Sequence, residues 1–426
     1  MKIGVVADDI TGANDIGGLF AEGGYSVHVY PAAQFGPEAL AADGAPDVCI
    51  LDTGSRLDRP EQAAAKVAAA TRALLAAGCP RFFNKTCSVF RGNIGPEFDA
   101  MLDTLGEPSA VVVLGFPRNG RLTLDGVHYV HGARLEESPF RHDPIHPMTR
   151  SDLVGILAAQ TERPVALVDH RVVAAGVERL RAAVDAAGAG YCIVDVAGQE
   201  ALATIARAVG DRRVLCGSSA LAEELPAVWG PSEAARPPAL PPPDSAGTLC
   251  VAGSLTPQTE AQIAHLRGLG VLVAELDTAR IFDEAGYAAE VGRAADALCA
   301  ELAAGRHGAV RAAAEAGRGA PARGEGARRG LAPHAVARRG PAPPADVAER
   351  ALGRVGSRRL VVAGGETSAA VCERLGVRGM RVLREIQPGL PSCVTLGERP
   401  LLLVLKSGSF GTPDFLAEAI AHLGRA

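Results

Sequence analysis

Short runs of Val, Ile and Leu alternate with Ala-rich stretches from the first residue onward, and this alternation constrains the fold. Uninterrupted apolar runs are typical of parallel strands that are buried on both faces. The stretches 60–77 and 174–187 have helix-forming composition, with apolar residues three and four apart. We therefore predict an α/β chain with helical crossovers. The strand candidates are residues 3–7, 48–52, 111–115, 165–168, 192–196, 214–217, 249–252, 271–276, 360–363 and 401–405.

Length and one break in composition predict two domains. The chain has 426 residues, more than one ordinary hydrophobic core accommodates. Residues 235–247 are rich in proline, which continues neither a helix nor a central strand, so we predict a linker there. The first domain is expected at 1–234 and the second at 248–426, each a mainly parallel sheet flanked by helices.

Residues 306–345 differ from the rest of the second domain. Alanine, arginine, glycine and proline make up 33 of these 40 residues, and no apolar periodicity is visible. Three interpretations stay open: a flexible basic insertion, a stretch translated out of frame from a GC-rich gene, and a nucleic-acid-binding arm. For a nucleic-acid-binding arm, the arginines supply the positive charge, but no aromatic residues lie between them to stack on bases.

Composition excludes several classes of protein. A hydrophobic content of 48% predicts full-sized cores, and a net charge of −5 gives no indication of a nucleic-acid partner. The nine cysteines are scattered and never spaced Cys-x-x-Cys, which predicts a reducing compartment with no disulfide and no zinc site. The chain has no apolar run of about 18 residues, and its first apolar run is too short for a signal peptide. We expect a soluble, cytoplasmic protein.

The most informative short motif directly follows the first strand candidate, where the chain reads Ala-Asp-Asp-Ile-Thr-Gly-Ala over residues 7–13. In open parallel sheets, ligands bind outside the carboxyl ends of strands. Two adjacent carboxylates there, Asp8 and Asp9, are costly unless they are solvated, paired with cations or used in chemistry. One interpretation is a helix cap formed by Asp9 or Thr11. The other is a carboxylate that takes a proton from a hydroxyl or helps to hold Mg²⁺.

A basic segment at 84–95 contains Lys85, Ser88 and Arg91. Only four of the 43 basic residues in the chain are lysines, so a lysine retained here indicates a site that needs a compact ammonium. These side chains could bind a carboxylate and its adjacent hydroxyls, and Arg56, after another strand candidate, adds a third basic group. The alternative is a solvated basic turn.

Two histidines, His142 and His146, lie four residues apart beside Pro144 and Pro147. The prolines preclude the regular helix on which this spacing would suit zinc, and no metal ligand is predicted. A contact with the substrate, a lid and an ordered loop without chemistry stay open as interpretations.

Three turns rich in glycine and serine follow strand candidates of the second domain, at 252–257, 363–368 and 406–411. Gly364 and Gly365 would let backbone amides face a phosphate at the positive end of a helix, which Thr367 and Ser368 are expected to cap. The sequence is neither a Walker A loop nor a dinucleotide fingerprint. Each turn alone could be structural, but three in one domain indicate a nucleotide site, where Glu366 could meet Mg²⁺ through water.

Together these motifs resemble the four-carbon acid-sugar kinase family, which includes threonate, erythronate and 3-oxo-tetronate kinases. The resemblance covers nearly the whole chain outside 306–345. It implies that the first domain binds the acid sugar, that the second binds ATP, and that the active site lies in the cleft between them. It implies that Asp8, Asp9, Arg56, Lys85, Ser88 and Arg91 lie on the substrate side, and that Ser254, Gly364, Gly365, Glu366, Thr367 and Gly408 contact the nucleotide. As a mechanistic hypothesis, Asp8 or Asp9 is catalytic and orients or deprotonates the accepting hydroxyl.

The resemblance predicts a phosphotransferase that uses ATP and Mg²⁺ to phosphorylate a hydroxyl of a small, four-carbon sugar acid. The expected partners are the sugar acid and ATP, without nucleic acid or membrane, and a homodimer is allowed. Cys87 and Val89 stand where the family often has Asp and Thr, which predicts a changed preference among acids. Two other functions stay open: a non-catalytic acid-sugar sensor with a degenerate nucleotide site, and a haloacid-dehalogenase-type phosphatase, although that family uses Asp-x-Asp.

Overall fold

The computed structural model describes residues 1–143, 145–232, 240–242, 244–277, 280, 284–312 and 342–425. It forms two compact units, residues 1–237 and residues 238–426, which we call unit 1 and unit 2. Much of the predicted linker at 235–247 and most of the atypical segment at 306–345 lie outside the described residues. The described ends of that segment belong to a strand at Gly308–Ala312 and a helix at Ala342–Val355.

Unit 1 alternates strands and helices along the chain, as the pattern of apolar runs predicts. Its strands are β1 (Ile3–Ala7), β2 (Val27–Pro31), β3 (Val48–Asp52), β4 (Phe82–Lys85), β5 (Ser109–Val113), β6 (Arg121–Leu124), β7 (Val127–Val130), β8 (Ala133–Arg134), β9 (Val165–Val168), β10 (Gly190–Val194) and β11 (Val214–Gly217). Its α-helices are α1 (Ile10–Glu22), α2 (Pro37–Asp43), α3 (Pro60–Ala76), α4 (Ile94–Leu105), α5 (Leu153–Ala158), α6 (His170–Ala174), α7 (Val177–Ala187), α8 (Gln199–Val209) and α9 (Leu225–Trp229). Short 3₁₀ helices span Ala32–Gln34, Pro117–Asn119, Leu135–Glu137, Pro139–His142 and Ala220–Glu223.

The main sheet of unit 1 has the strand order β2-β3-β1-β4-β11-β5-β10-β9, and every neighbouring pair is parallel. Parallel strands place all their carboxyl ends at one edge. At that edge Ala7 pairs with both Asp52 and Lys85, and Lys85 pairs with Gly217. Strands β6, β7 and β8 form a separate antiparallel sheet.

Unit 2 repeats the α/β pattern with a mixed edge. Its strands are β12 (Leu249–Ala252), β13 (Leu272–Leu276), β14 (Gly308–Ala312), β15 (Arg359–Ala363), β16 (Met380–Gln387), β17 (Leu390–Thr395) and β18 (Leu402–Lys406). Its helices are α10 (Pro257–Gly268), α11 (Glu284–Ala303), α12 (Ala342–Val355), α13 (Gly365–Arg374) and α14 (Phe415–Leu423). The order is β13-β14-β12-β15-β18-β17-β16, parallel through β18, with β17 antiparallel to both its neighbours.

The predicted fold class is confirmed, because both units are mainly parallel sheets flanked by helices. Burial explains why the apolar runs identified strands: every residue of β1, β10 and β12 is buried, as a sheet covered on both faces requires. In α3 the buried side chains recur three and four residues apart, at Ala63, Val67, Ala70 and Leu74. Among the described helices, none is long and apolar enough to cross a membrane.

Candidate functional site

The two aspartates after β1 are held by one arginine. Arg56 Nε lies 2.8 Å from Asp8 Oδ2 and its Nη2 lies 2.7 Å from Asp8 Oδ1, a bidentate pair, while Nη1 lies 2.5 Å from Asp9 Oδ2. Asp9 also caps α1, since its Oδ1 accepts the Gly12 N–H at 2.7 Å. Burial alone would raise the pKa of Asp9, but Arg56 and Lys85 hold it below its usual value. The Asp8 side chain is only 2% exposed, so this arginine neutralises a buried charge.

The loop that carries Arg56 is fixed by the segment after β4. Asn93 Nδ2 donates to the backbone oxygens of Ser55 at 3.2 Å and Asp58 at 3.0 Å. Gly92 has a φ of +109°, and a Cβ there would come within 3.2 Å of Arg56 Cγ, so a glycine is required. The Arg-Gly-Asn motif at 91–93 therefore acts partly by holding Arg56 in place.

Lys85 ends β4 and is buried beside the start of α1. Its Nζ donates to the Thr86 carbonyl at 3.0 Å and lies 3.9 Å from Asp15 Oδ2. A Cβ on Gly12 would lie 2.8 Å from Lys85 Nζ and 2.7 Å from Asp9 Oδ1, so the ammonium and that carboxylate both border Gly12. The structure thus brings Asp8, Asp9, Arg56 and Lys85 together at the carboxyl ends of β1, β3 and β4.

Arg91 binds a carboxylate of its own and contacts a cysteine thiol. Its Nη1 lies 2.6 Å from Asp143 Oδ2, and its Nε lies 3.4 Å from Cys87 Sγ. Burial raises the pKa of the Cys87 thiol, but Arg91 and Arg56 outweigh it, and the pKa falls below its usual value. Ser88 joins this loop to the small sheet, because its carbonyl oxygen lies 2.9 Å from Nε2 of the fully buried His128.

Several polar residues of this edge were not singled out from the sequence. Asp15 lies on α1, Ser219 follows β11, and Arg121 begins β6; all three are buried. Glu97 on α4 is 2% exposed and accepts a hydrogen bond from Ser55 Oγ at 2.7 Å. Burial and the nearby charge of Asp8 raise the pKa of Glu97 to about 8. An acidic residue inside an apolar helical pattern, as at Asp15 and Glu97, was the signal available in the sequence.

The two histidines of the proline-rich loop take different positions. His146 Nε2 lies 3.0 Å from the Arg56 carbonyl oxygen, which ties this loop to the arginine, whereas His142 is exposed. Pro144 lies outside the described residues. A cluster of metal-ligand type lies elsewhere in unit 1, at Asp125, His170 and Asp195.

That cluster is explained by backbone hydrogen bonding. The Asp195 carboxylate accepts the N–H groups of Asp125 at 2.6 Å, Gly126 at 3.0 Å and His170 at 3.1 Å. These contacts tie two turns to the end of β10, so the aspartate serves the fold.

In unit 2 the three glycine turns follow the adjacent strands β12, β15 and β18 and pack against each other. A Cβ on Gly253 would overlap Thr367 Oγ1, and a Cβ on Gly408 would overlap Ser254 Oγ. Gly364 has a φ of +121°, and a Cβ there would lie 3.2 Å from the Ser254 nitrogen. The close packing of these turns therefore depends on the absence of side chains at all three positions.

Gly364 is the N-cap of α13, and no described side chain caps that helix. The helix begins at Gly365, so the prediction that Thr367 and Ser368 cap it is wrong. An N-cap residue stands just before the first helical residue, whereas Thr367 and Ser368 lie inside the first turn. Glu366 is exposed at this end. Amides open at a positive helix terminus, beside glycine turns, fit a phosphate group.

Lys406 closes β18 beneath these turns. The residue is fully buried, and its Nζ lies 3.1 Å from Thr259 Oγ1 and 3.2 Å from the Gly408 carbonyl oxygen. Thr256 Oγ1 donates to the same carbonyl at 2.6 Å. Burial lowers the pKa of Lys406 to about 7. Thr259 Oγ1 also donates to the Gly408 carbonyl at 3.0 Å, so the turn at Gly408 is held by the Lys406 side chain and two hydroxyls.

Known protein families match unit 1 and unit 2 separately. Residues 3–225 match the model of a sugar-binding N-terminal domain, and residues 249–416 match that of a nucleotide-binding C-terminal domain. The chain is 35% identical to a 3-oxo-tetronate kinase of Methylobacterium radiotolerans, covering 99% of each chain, and 34% identical to one of Pseudomonas fluorescens, covering 99% of this chain and 97% of the relative. A Salmonella typhimurium crystal structure described as a putative tRNA synthase superposes with a TM-score of 0.81 at 28% identity, covering 98% of both chains.

The buried ammonium of Lys406 predicts a pH-dependent stability. Its pKa is lower in the folded protein than in the unfolded chain, so between about pH 7 and pH 10 the unfolded chain binds more protons and the free energy of unfolding rises with pH. We expect Lys406→Met to remove this contribution, which approaches about 1.4 kcal/mol per pH unit. Urea unfolding of wild type and variant across this range measures the difference. Lys66→Met, at an exposed lysine paired with Asp58, is the control and should show no such trend; equal slopes for Lys406→Met and wild type would contradict the prediction.

Proposed function

Because the chain belongs to the four-carbon acid-sugar kinase family, we propose that it transfers the γ-phosphoryl group of ATP to a hydroxyl of a four-carbon sugar acid. It is a kinase of sugar acids, a phosphotransferase with an alcohol acceptor. The nucleotide and the carbon number of the acid are the proposed parts. The observation that carries the nucleotide is the packing of three glycine turns around the uncapped start of α13. The four-carbon acid is proposed from the similarity to 3-oxo-tetronate kinases.

We propose that the nucleotide phosphates bind at this glycine site of unit 2. Phosphoryl groups need amide donors and close backbone approach, which glycines at strand ends permit. Mg²⁺ would supply neutralisation of the phosphate charge, and the exposed Glu366 offers the hard oxygen ligand that this ion prefers, directly or through water. The residues assigned to this site are Ser254, Gly364, Gly365, Glu366, Thr367 and Gly408.

The sugar acid is proposed to bind at the strand-end cluster of unit 1. Lys85 and Arg91 are assigned to its carboxylate, and Ser88 to an adjacent hydroxyl. Arg56 is assigned to the same site, although its guanidinium already binds Asp8 and Asp9. Its contribution is therefore to fix those two carboxylates in place while its flank borders the substrate.

Phosphoryl transfer requires positioning and charge neutralisation more than covalent chemistry. Both oxygens of Asp8 accept hydrogen bonds from Arg56, and both oxygens of Asp9 accept hydrogen bonds from Gly12, Thr11 or Arg56. Because these oxygens are already engaged, we infer that Asp8 and Asp9 orient the accepting hydroxyl rather than deprotonate it. The proposed catalytic role of Asp8 and Asp9 is to hold the acceptor in line.

A coupled assay of ADP release tests the function, with Mg·ATP and a panel of sugar acids of four to six carbons. We expect turnover with a four-carbon acid. The sensor alternative predicts acid binding without turnover, and calorimetry separates the two, because a sensor with a degenerate nucleotide site would show no binding of Mg·ATP at millimolar concentration. Turnover only with longer acids would overturn the four-carbon assignment.

The acidic pair predicts a loss of turnover that leaves the nucleotide site intact. Asp8→Asn breaks the bidentate pair with Arg56, and Asp9→Asn weakens both the cap and the arginine contact. We expect each to lower kcat by about 10²-fold, as for a misplaced reactant, with the Kd for Mg·ATP changed by less than about threefold. Glu301→Gln removes an exposed bidentate pair with Arg306 and is the matched control. Unchanged kcat in both aspartate variants would contradict the proposed catalytic role of Asp8 and Asp9.

The glycine packing predicts a selective loss of nucleotide binding. In Gly253→Ala the new Cβ would overlap Thr367 Oγ1 and push the first turn of α13 away from the turn after β12. We expect the Kd for Mg·ATP to rise by at least about tenfold, whereas binding of the sugar acid alone should not change. Gly268→Ala is the control, since a Cβ there meets no described atom. Equal nucleotide affinity for Gly253→Ala and wild type would contradict the proposed site.

A further inference from the structure

Asp15 is a buried carboxylate that neither the fold nor the proposed roles above account for. It lies in the second turn of α1, and its side chain is 7% exposed. Ser219 Oγ donates to Asp15 Oδ2 at 2.5 Å. Asp15 Oδ1 has no hydrogen-bond partner among the residues that the structure describes. A buried carboxylate oxygen without a partner is costly, and a donor from outside the protein would relieve that cost.

The neighbours of Asp15 are those of the proposed substrate site. Lys85 Nζ at the end of β4 lies 3.9 Å from Asp15 Oδ2. Asp9 before α1 and Arg121 at the start of β6 also act on the carboxylate electrostatically, the first raising its pKa and the second lowering it. The group is thus bordered by β4, β6, the turn after β11 and the start of its own helix.

Asp15 differs from Asp8 and Asp9 in the number of its carboxylate oxygens that accept hydrogen bonds from the protein, and this difference bears on which of them can take a proton. Each oxygen of those two residues accepts at least one hydrogen bond, and Arg56 binds both. Among the described residues, the cation paired with Asp15 is Lys85 rather than an arginine, and Oδ1 has no protein hydrogen bond to lose. A general base must be within hydrogen-bond reach of the proton that it takes, and at this edge Asp15 Oδ1 can accept it without first losing a protein contact.

We propose that Asp15 is the general base of the kinase, accepting through Oδ1 the proton of the sugar-acid hydroxyl that is phosphorylated. This assignment rests on the proposed function. In the step, the hydroxyl O–H bond breaks and its proton moves to Asp15 Oδ1. The hydroxyl oxygen bonds to the γ-phosphorus of ATP while the bond from that phosphorus to the β–γ bridging oxygen breaks, releasing ADP.

The ionisation of Asp15 suits this role. Burial raises its pKa, Lys85 and Ser219 lower it, and the result is about 6. A carboxyl with that pKa is ionised at neutral pH and still holds a proton better than an ordinary aspartate does. The acid limb of the kcat profile is therefore expected near pH 6, with turnover rising as Asp15 loses its proton.

Asp15→Asn tests the assignment, because it keeps the shape of the side chain and removes its basicity. We expect kcat to fall by about 10²-fold or more and the acid limb near pH 6 to disappear. Binding of the sugar acid, measured by calorimetry without nucleotide, should stay within about tenfold of wild type. Asp47→Asn is the matched control, a buried aspartate that accepts hydrogen bonds from Ser26 and Ser232; it should keep both kcat and the acid limb.

Ser219→Ala gives an independent test if Asp15→Asn fails to fold. The loss of the Ser219 hydroxyl removes a hydrogen bond that favours the charged carboxylate, so the acid limb should move to higher pH while the plateau kcat stays within a few fold. An unmoved acid limb in Ser219→Ala, or full kcat in Asp15→Asn, overturns the assignment and leaves the kinase function standing. Absence of turnover by the wild type with every acid tested would overturn both.

Discussion

The parallel direction of neighbouring strands is the constraint on which the rest of the structure depends. It places the turns after β1, β3, β4 and β11 at one edge of unit 1, where Arg56 meets an aspartate 48 residues away in sequence. The same constraint places the turns after β12, β15 and β18 at one edge of unit 2. The two edges differ in chemistry, since the first gathers buried charges and the second gathers glycines, hydroxyls and amides. A kinase of sugar acids needs both kinds of surface, one for an anion with hydroxyls and one for phosphates.

The sequence was sufficient to predict which strand ends carry chemistry, because uninterrupted apolar runs mark buried strands and the residues after them fall at one edge. It presented the capping and the functional interpretations of Asp9 as alternatives. The structure shows that Asp9 caps the helix and also binds a cation. One of its carboxylate oxygens accepts the Gly12 N–H, and the other accepts hydrogen bonds from the Thr11 hydroxyl and the Arg56 guanidinium. A carboxylate has two oxygens with separate directions, so a helix cap can also be a charge partner. The same reasoning failed at Thr367, where the glycine turn lets the helix begin at Gly365, three residues earlier than a cap by Thr367 would allow.

Other parts of the site could not be predicted, because they depend on contacts between distant segments. Asp15 reads as one polar residue in a helix, and its partner Ser219 lies 204 residues further along the chain. Likewise, Arg91 was expected to face an anion from outside, yet it binds Asp143 across 52 residues. Burial and pairing of this kind arise only once strand order is known, and no local pattern encodes them. The composition of 306–345 was visible in the sequence, but residues 313–341 lie outside the described part of the chain.

Arg56 also separates two kinds of acidic group at the strand-end edge of unit 1. It binds Asp8 and Asp9 directly, and the pKa of Asp9 is lowered despite burial. At the same edge, burial raises the pKa values of three acids that Arg56 does not contact: that of Asp15 to about 6, that of Asp52 to about 7 and that of Glu97 to about 8. The cation at this edge therefore distinguishes Asp9, whose pKa is lowered, from neighbouring carboxyls whose pKa values burial raises towards neutrality. Phosphorylation of an alcohol needs both, because the acceptor must be held by charges that do not change while its proton leaves. Arg56 belongs to the proposed substrate site in this sense: it holds Asp8 and Asp9 by direct hydrogen bonds, which leaves the proposed proton transfer to an acid that it does not bind.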